Sequence, residues 1–336
     1  CIRDSRYDAR PMVTKRARRW IQRGVAAGLL LAVLGLGAAS WFAAEAIEAD
    51  LLERLPAEPL GDPSAVGLPY RSVEVPGPLG SYPAWLIGEP VEGEQAPWAI
   101  VVHDGAESRD AALEMVPALV ERGMLVLVPT YRGDAGAPPA PGGRHTLGAK
   151  ERQDVEAAVG FAVSGEASDV LLVGRGTGGS AVLLVLRESE QGASIRGAIV
   201  DAAYLDPGVI VDRRMERDNV PGFLKGWAKA LATVRFGVEW AVLDQVSGAD
   251  DLTVPVLLIH GTADDRVPVE LADRMAAARP DLITYVRVEG AGHLAAWRTE
   301  PALVGAAIEA FLDVVLPVVV DVPEAPELPE VERETP

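Results

Sequence analysis

The stretch Asp169-Val-Leu-Leu-Val-Gly-Arg-Gly-Thr-Gly-Gly-Ser-Ala-Val-Leu-Leu184 changes from a strand pattern to a helix pattern across a turn rich in glycine. Residues 170–173 are a short continuous apolar run, which is typical of a strand buried on both faces. Residues 177–187 then read as a helix. Because glycine allows the backbone to turn tightly, the sequence predicts a strand that passes directly into a helix here.

Strand and helix patterns alternate along most of the chain. A hairpin is predicted first, at residues 71–76 and 82–88, joined by the turn Pro76-Gly-Pro-Leu-Gly80. Further strands are predicted at residues 98–103, 124–131, 169–173, 197–201, 254–260 and 283–288, and helices at residues 109–122, 150–163, 177–187, 269–278 and 301–315. Continuous apolar strands that alternate with helices predict an α/β fold, with a mostly parallel sheet covered by helices on both faces.

Residues 204–250 interrupt this alternation. The segment holds Trp227, Phe236 and Trp240 and lies where a small lid would be inserted. A helical connection packed on the edge of the domain is the alternative interpretation.

Two of the predicted strands end in residues that suit catalysis. The strand at 254–260 runs into a loop with Asp264, and Asp265 as a second choice, while the last strand runs into Gly290-Ala-Gly-His293. A histidine oriented by a carboxylate is the general base that activates a hydroxyl nucleophile. The chain has only four histidines. We therefore favour a catalytic His293 over a surface histidine at a turn.

Residues 70–316 resemble the α/β-hydrolase family, in its serine esterase and prolyl-oligopeptidase-like branch. The glycine turn, the Asp264 loop and the His293 loop follow each other in that family's order. Further matches are Val101-Val-His-Asp-Gly-Ala106, Tyr131-Arg-Gly133 and Gly148-Ala-Lys-Glu-Arg-Gln-Asp-Val155. The resemblance implies that the Tyr-Arg turn and the helix-opening Glu151 and Asp154 are structural.

The glycine turn then corresponds to the nucleophile elbow, whose pattern is G-x-S-x-G. Gly174 and Gly178 match the flanking glycines, and Gly176 stands at the position of the nucleophilic serine. The resemblance places the oxyanion hole, which stabilises the negative charge of the acyl intermediate, at the backbone of Thr177 and Gly105.

The departures from the family pattern affect the catalytic groups themselves. Gly176 has no side chain that can attack an acyl carbon. Thr177 is expected to point away from the site, and Ser180 to face the sheet as a small packing residue. His103 is followed by Asp104 where the family has glycine, and a carboxylate there would repel a developing oxyanion.

The same glycines allow a different interpretation. Gly174-Arg-Gly-Thr-Gly-Gly179 also spells G-x-G-x-x-G between a strand and a helix, the fingerprint of a dinucleotide-binding site. Asp201 ends the next strand, but at 27 residues it lies further along than the roughly 20 of that fingerprint. A dinucleotide-binding domain would not need Asp264 and His293, so we rank this interpretation lower.

Composition excludes several classes of protein. Residues 1–44 hold eight Lys or Arg against two Asp, about +6, so the rest of a chain of net charge −18 carries about −24. So acidic a domain argues against a nucleic-acid partner. Cys1 is the only cysteine, which leaves no internal disulfide and no thiolate metal site. No metal or organic cofactor is implied.

The N-terminal region predicts a membrane anchor. Residues 25–44 are an uncharged run of about the 20 residues that cross a bilayer. The basic residues Arg10, Lys15, Arg16, Arg18, Arg19 and Arg23 precede the run, and Glu45, Glu48 and Asp50 follow it. The positive-inside rule then places the N-terminus in the cytoplasm and the main domain outside. A signal peptide cleaved after Ala43 or Ala44 is the second interpretation, and a buried helix of the domain the third.

We therefore expect a single-pass protein of the cell membrane. Its predicted parts are a basic cytoplasmic segment at residues 1–24, a transmembrane helix at 25–44, a linker at 45–69, an α/β-hydrolase-fold domain at 70–316 and a disordered acidic, proline-rich tail at 317–336.

The resemblance implies hydrolysis of an ester, amide or related acyl bond in a small substrate. With Gly176 in place of serine, we expect at most slow attack by water, assisted by His293. The alternative is an inactive protein that keeps its pocket to bind a ligand or a protein partner.

Overall fold

The computed structural model describes residues 15–52, 59, 61–89, 95–189 and 192–317. The predicted disordered tail, apart from Pro317, and the first fourteen residues of the predicted basic segment lie outside these ranges. The strands are β1 (Tyr70–Gly77), β2 (Gly80–Ile87), β3 (Trp98–Val102), β4 (Leu125–Pro129), β5 (Val170–Arg175), β6 (Ile195–Asp201), β7 (Val256–Gly261) and β8 (Ile283–Val288). They form one sheet in the order β1-β2-β4-β3-β5-β6-β7-β8.

The sheet is parallel from β4 through β8 and antiparallel at its other edge. β1 pairs antiparallel with β2, and β2 antiparallel with β4. Every residue of β3, β4, β5 and β7 is buried, as expected for strands covered on both faces. The predicted mostly parallel sheet and its leading hairpin are therefore confirmed.

The helices are α1 (Lys15–Ile47), α2 (Val116–Glu121), α3 (Arg152–Ser164), α4 (Thr177–Glu188), α5 (Pro207–Arg217), α6 (Gly222–Phe236), α7 (Val269–Ala278), α8 (Ala296–Thr299) and α9 (Pro301–Val315). Helices α3, α4 and α7 pack in one core cluster, and α2 and α9 in the cluster on the other face of the sheet. Residues Thr177–Leu186 of α4 are all buried, so this helix lies at the centre of the molecule.

The predicted lid segment contains α5 and α6. The Asp206 carboxylate caps α5 by accepting the backbone N–H of Val209 at 3.0 Å. Leu224, Ala228 and Ala232 form the buried face of α6, and α6 packs against α1.

Helix α1 is longer than the predicted span. Residues Arg16–Ile47 include a stretch long and apolar enough to cross a membrane, and most of its side chains are exposed. Its C-terminal end is different, because Ser40, Ala44 and Ile47 are buried. Leu51 and Leu52, in the π-helical turn that follows, are buried in the same core. The start of the predicted 45–69 linker therefore packs on the domain.

Candidate active site

The turn between β5 and α4 has the geometry of an elbow. Gly176 has φ +51° and ψ −117°, a conformation that residues with side chains adopt only under strain. A Cβ atom at Gly174 would overlap Gly179, and one at Gly178 would overlap the carbonyl oxygens of Val102 and His103. The flanking glycines are thus required by the close passage of α4 over its neighbours.

The carboxylate of Asp104, just beyond β3, fills the space above this elbow. Asp104 Oδ1 accepts the backbone N–H of Thr177 at 2.8 Å, and Oδ2 accepts that of Ala106 at 3.1 Å. A Cβ atom built on Gly176 would overlap Oδ1. The carboxylate therefore fills the space that a side chain at position 176 would need, and it binds the first N–H group of α4.

Asp104 is only 1% exposed, and its surroundings favour the charged form. Burial is the largest influence and raises its pKa. The N–H of Thr177, the nearby His293, the N–H of Ala106 and the nearby His145 together outweigh burial, and the pKa of Asp104 lies below its ordinary value. The site therefore holds a fixed negative charge where acyl transfer would develop another.

The structure brings Asp264 and His293 together. His293 Nδ1 lies 2.8 Å from Asp264 Oδ2, and Asp264 Oδ1 accepts the backbone N–H groups of Arg266 and Val267 at 2.9 and 2.8 Å. Burial raises the pKa of Asp264, but the hydrogen bond and charge of His293 reduce it below its ordinary value. Asp265, the second choice for the acid, is exposed.

The other ring nitrogen of His293 is the one a catalytic base would use. Nε2 is buried, and no described residue forms a hydrogen bond with it. The Tyr204 ring packs edge-on against the imidazole, with centroids 5.7 Å apart. His293 is thus oriented as a base whose working nitrogen has no partner among the described residues.

Thr177, Ser180 and Gly105 each make contacts of their own close to Gly176. Thr177 supplies the backbone N–H already bound to Asp104. Ser180 is fully buried, and its hydroxyl donates to the carbonyl oxygen of Tyr204 at 3.1 Å. Gly105 lies against Thr177, since a Cβ atom on it would be 3.1 Å from Thr177 Oγ1.

The residues expected to be structural are structural. The Arg132 guanidinium donates to both carboxylate oxygens of Asp154, at 2.7 and 2.8 Å. Glu151 accepts the backbone N–H groups of Thr146 and Gly148. His103 stacks on Tyr131, with ring centroids 4.6 Å apart, and its Nε2 lies 3.1 Å from Asp134. The two His103 contacts hold the start of the loop that carries Asp104.

Sequence reasoning missed Arg175, the residue between Gly174 and Gly176. Its side chain is buried, donates to the carbonyl oxygens of Ala111 at 2.5 Å and Leu294 at 3.3 Å, and lies 3.8 Å from Asp201. Leu294 follows His293, so Arg175 joins the elbow to the histidine loop. An arginine at the end of an apolar strand was the available signal, because a buried charge must be paired.

His260 was also missed, although it lies in the loop sequence that indicated Asp264. The ring is buried, its Nε2 donates to the carbonyl oxygen of Val267 at 3.0 Å, and the same nitrogen is 3.4 Å from Asp264 Oδ2. Burial holds the pKa of His260 below its ordinary value. A neutral His260 therefore helps to position the Asp264 loop.

The geometry disfavours the dinucleotide interpretation. A pyrophosphate at the start of α4 would have to displace the buried carboxylate of Asp104 from the N–H of Thr177. Asp201 is buried beside Arg175 and not placed to meet a ribose. Among the described residues, no group of three or more His, Cys, Asp or Glu is arranged to hold a metal ion.

A parallel sheet with a strand-turn-helix elbow, an acid after β7 and a histidine after β8 defines an α/β-hydrolase. The sequence profile of the prolyl oligopeptidase family matches residues 112–316. The chain belongs to the prolyl oligopeptidase family.

Solved structures with this fold include esterases and peptidases. The Pyrococcus furiosus esterase Pf2001 is 18% identical with a TM-score of 0.60, over 78% of this chain and 99% of that chain. A Mycobacterium tuberculosis puromycin-hydrolyzing peptidase is 22% identical with a TM-score of 0.57, over 74% of this chain and 39% of that one. Pyrococcus horikoshii acylaminoacyl peptidase is 16% identical with a TM-score of 0.56, over 79% and 45%. Identities this low show the shared fold alone, and no curated protein matches the chain significantly.

Proposed function

We propose that this chain is a membrane-anchored member of the prolyl oligopeptidase family whose acyl-hydrolase site is degenerate and at most weakly active. The family reaction is hydrolysis of an ester or amide bond. The observation that carries the proposal is the carboxylate of Asp104, which lies over Gly176 and binds the N–H of Thr177.

Acyl transfer needs an attacking atom and a site for the oxyanion, and this chain supports neither. Gly176 offers no attacking atom. Donors of an oxyanion hole must be free when the negative charge develops, yet the Thr177 N–H is already bonded to a carboxylate. Enzymes that lose a triad residue keep about 10³–10⁴-fold catalysis over water through the oxyanion hole and substrate binding. In this chain the contribution of the oxyanion hole is blocked too, because Asp104 binds the Thr177 N–H.

The retained pair supports a residual role for His293. With Nδ1 bonded to Asp264, Nε2 is placed to take a proton from water. Water is a weaker nucleophile than an activated serine, so this route accounts for slow hydrolysis at most. A non-enzymatic binding role is the second candidate, favoured by the full set of hydrogen bonds that holds Asp104 in place.

Anchoring is supported by α1. Exposure of its many apolar side chains to water would be unfavourable, and burial in a bilayer would remove it. These side chains follow the basic residues of the N-terminal segment. The acidic domain then lies on the extracytoplasmic side under the positive-inside rule.

Labelling with a fluorophosphonate, which reacts with activated serines, tests the degenerate site. We expect no labelling of the native chain and labelling of a Gly176→Ser/Asp104→Gly double variant, which restores the nucleophile and frees the Thr177 N–H. Rapid labelling of the native chain that disappears on Ser180→Ala or Thr177→Val would reveal a displaced nucleophile and overturn the proposal.

A further inference from the structure

A cavity of about 620 Å³ lies where α1 meets the lid, outside the site described above. One wall is apolar and comes from α1, through Ala43, Ala46 and Ile47. Val211 and Met215 of α5 continue this apolar surface. The cavity is large enough for a small polar group with the beginning of an attached chain.

Guanidinium groups from α5 and from the Asp264 loop also line the cavity. Arg214 and Arg217 are three residues apart on α5 and therefore share a face, and Arg266 comes from the loop that holds Asp264. Burial, and then the charges of Arg217 and Arg266, hold the pKa of Arg214 below its ordinary value. The three cations are thus close enough to repel each other. Asp218 and Asp265 also line the cavity, so its lining keeps one positive charge in excess.

The cavity lies at the end of the proposed membrane span. Ala43 belongs to the apolar run 25–44, and Ala46 and Ile47 follow within one helical turn. A residue at the end of a membrane span lies at the depth of the lipid headgroups. The arginines of the cavity are therefore at headgroup level.

The exposed face of α6 independently supports the placement of the cavity at the level of the lipid headgroups. Phe223, Trp227 and Val234, spaced along one side of the helix, are 63%, 69% and 83% exposed. Helix α6 packs on α1, so this apolar face continues the lipid-facing surface of α1. Large apolar side chains, with tryptophan among them, are typical of a helix that lies in the interface of a bilayer.

We propose that the cavity between α1 and α5 binds the phosphate of an anionic phospholipid through Arg214, Arg217 and Arg266, with the lipid chains directed along Ala43, Ala46 and Ile47. Guanidinium groups pair with phosphate through charge-assisted hydrogen bonds. A lining that combines apolar side chains with cations matches an amphiphile better than a free anion. The inference rests on the proposed anchoring in the membrane.

The test uses the full chain in detergent micelles and three soluble probes. Dioctanoyl phosphatidylglycerol carries both the anion and the chains, dioctanoyl phosphatidylcholine has the same chains without net charge, and glycerol 3-phosphate has the anion alone. We expect the phosphatidylglycerol to bind at least tenfold more tightly than either of the others in a direct equilibrium measurement such as native mass spectrometry.

Two variants and a matched control locate the site. Arg217→Gln/Arg266→Gln should lose at least tenfold in phosphatidylglycerol affinity. Ala46→Phe, which fills the apolar wall without changing charge, should lose a similar factor. Arg213→Gln should keep native affinity, because Arg213 is on the same helix but pairs with Glu270 at 3.0 Å and does not line this cavity.

Each contrary result overturns the inference. If the choline lipid binds as tightly as the phosphatidylglycerol, binding depends on apolar contacts alone. If glycerol 3-phosphate binds as tightly as the phosphatidylglycerol, the cavity is a site for soluble phosphate esters. Loss of binding in Arg213→Gln as great as in the double variant would mean a general charge effect. Anchoring is measured separately, by retention in membranes washed with alkaline carbonate, so its failure is distinguishable from failure of lipid binding.

Discussion

At the scale of single residues, the carboxylate of Asp104 determines what the turn between β5 and α4 can hold. Sequence reasoning treated this carboxylate as a charge that would oppose an oxyanion. In the structure it accepts two backbone N–H groups and would overlap a side chain at Gly176. Residue type and spacing predicted the tight turn at Gly176 and the approach of Asp264 to His293. They did not predict this rotamer, which depends on N–H groups that come together only in the folded chain.

Restoring a serine alone should therefore have little effect. In Gly176→Ser the new Cβ atom meets Asp104, and we expect hydrolysis of a nitrophenyl butyrate ester near the native background. Gly176→Ser/Asp104→Gly should be at least about 100-fold faster than the single variant, because a freed oxyanion-hole donor is worth about 10²–10³ in kcat. Steady-state assays of all the variants provide the measurement.

Asp104→Gly alone is the matched control and should stay at background, since it frees the hole without supplying a nucleophile. A Gly176→Ser single variant as fast as the double variant would show that Asp104 moves aside at little cost, and would contradict its role as the block.

The buried carboxylate of Asp201 should make stability depend on pH. Burial raises the pKa of Asp201 to about 6, although Arg175 opposes the shift. The folded state then binds this proton more tightly than the unfolded state, so its stabilising effect is present at low pH and is lost as pH rises through about 6. The difference from the ordinary pKa corresponds to about 3 kcal/mol. Asp201→Asn should remove this dependence.

Urea unfolding between pH 4 and pH 7 measures the effect. From pH 4 to pH 7 the free energy of unfolding of the native protein should fall by up to about 3 kcal/mol relative to that of Asp201→Asn. The loss of the Arg175 contact in the variant is the same at every pH, so it does not affect this change. Substitution of the exposed Asp250 by Asn is the control. If the two native-minus-variant curves are parallel, Asp201 does not titrate as inferred.

At the scale of elements, the fold followed the hydrophobic pattern closely, and the differences have local causes. The predicted helix at 109–122 is a 3-10 segment, Arg109–Glu114, followed by the short α2. Pro117 lies in the first turn of α2, where its missing N–H is tolerated, but inside a longer helix it would break a hydrogen bond to Leu113. The length of α1 could not be read from composition, because the charged Glu45 ends the apolar run but lies inside the helix.

The contact between α1 and α6 depends on an arginine whose partners lie in the proposed anchor. The Arg235 guanidinium lies 3.6 Å from the centroid of the Trp41 ring and forms an ion pair with Glu45 at 2.7 Å. Such a cation–π contact is worth about 0.5–2 kcal/mol. Arg235→Ala should loosen the end of α6 and raise its amide hydrogen exchange about fivefold.

Hydrogen exchange followed by mass spectrometry of α6 peptides measures this loosening. The control is Arg213→Ala on the neighbouring helix α5, which removes an exposed ion pair with Glu270 of α7. It should leave hydrogen exchange in α6 unchanged. Equal exchange in native protein and Arg235→Ala would mean that the small-residue packing of the two helices suffices to hold α6.

At the scale of the whole molecule, the distribution of charge predicts a membrane topology. The domain carries most of the chain's negative charge, whereas the segment before the apolar run is basic. A protease added to right-side-out vesicles should digest the chain beyond residue 56 and spare the basic N-terminus. Protection of the domain until detergent is added would reverse the proposed orientation, and detergent-treated vesicles provide the control for protease activity.

The contact between α6 and α1 determines which part of the protein can move relative to the proposed anchor. Helix α6, one of the two helices of the lid, packs on the same helix that is proposed to cross the bilayer. If α6 stays fixed to the proposed anchor through this contact, any relative movement inside the protein is a movement of the sheet domain against the membrane. A force that moves the acidic domain toward or away from the lipid surface would then act first on the contact between α1 and α6.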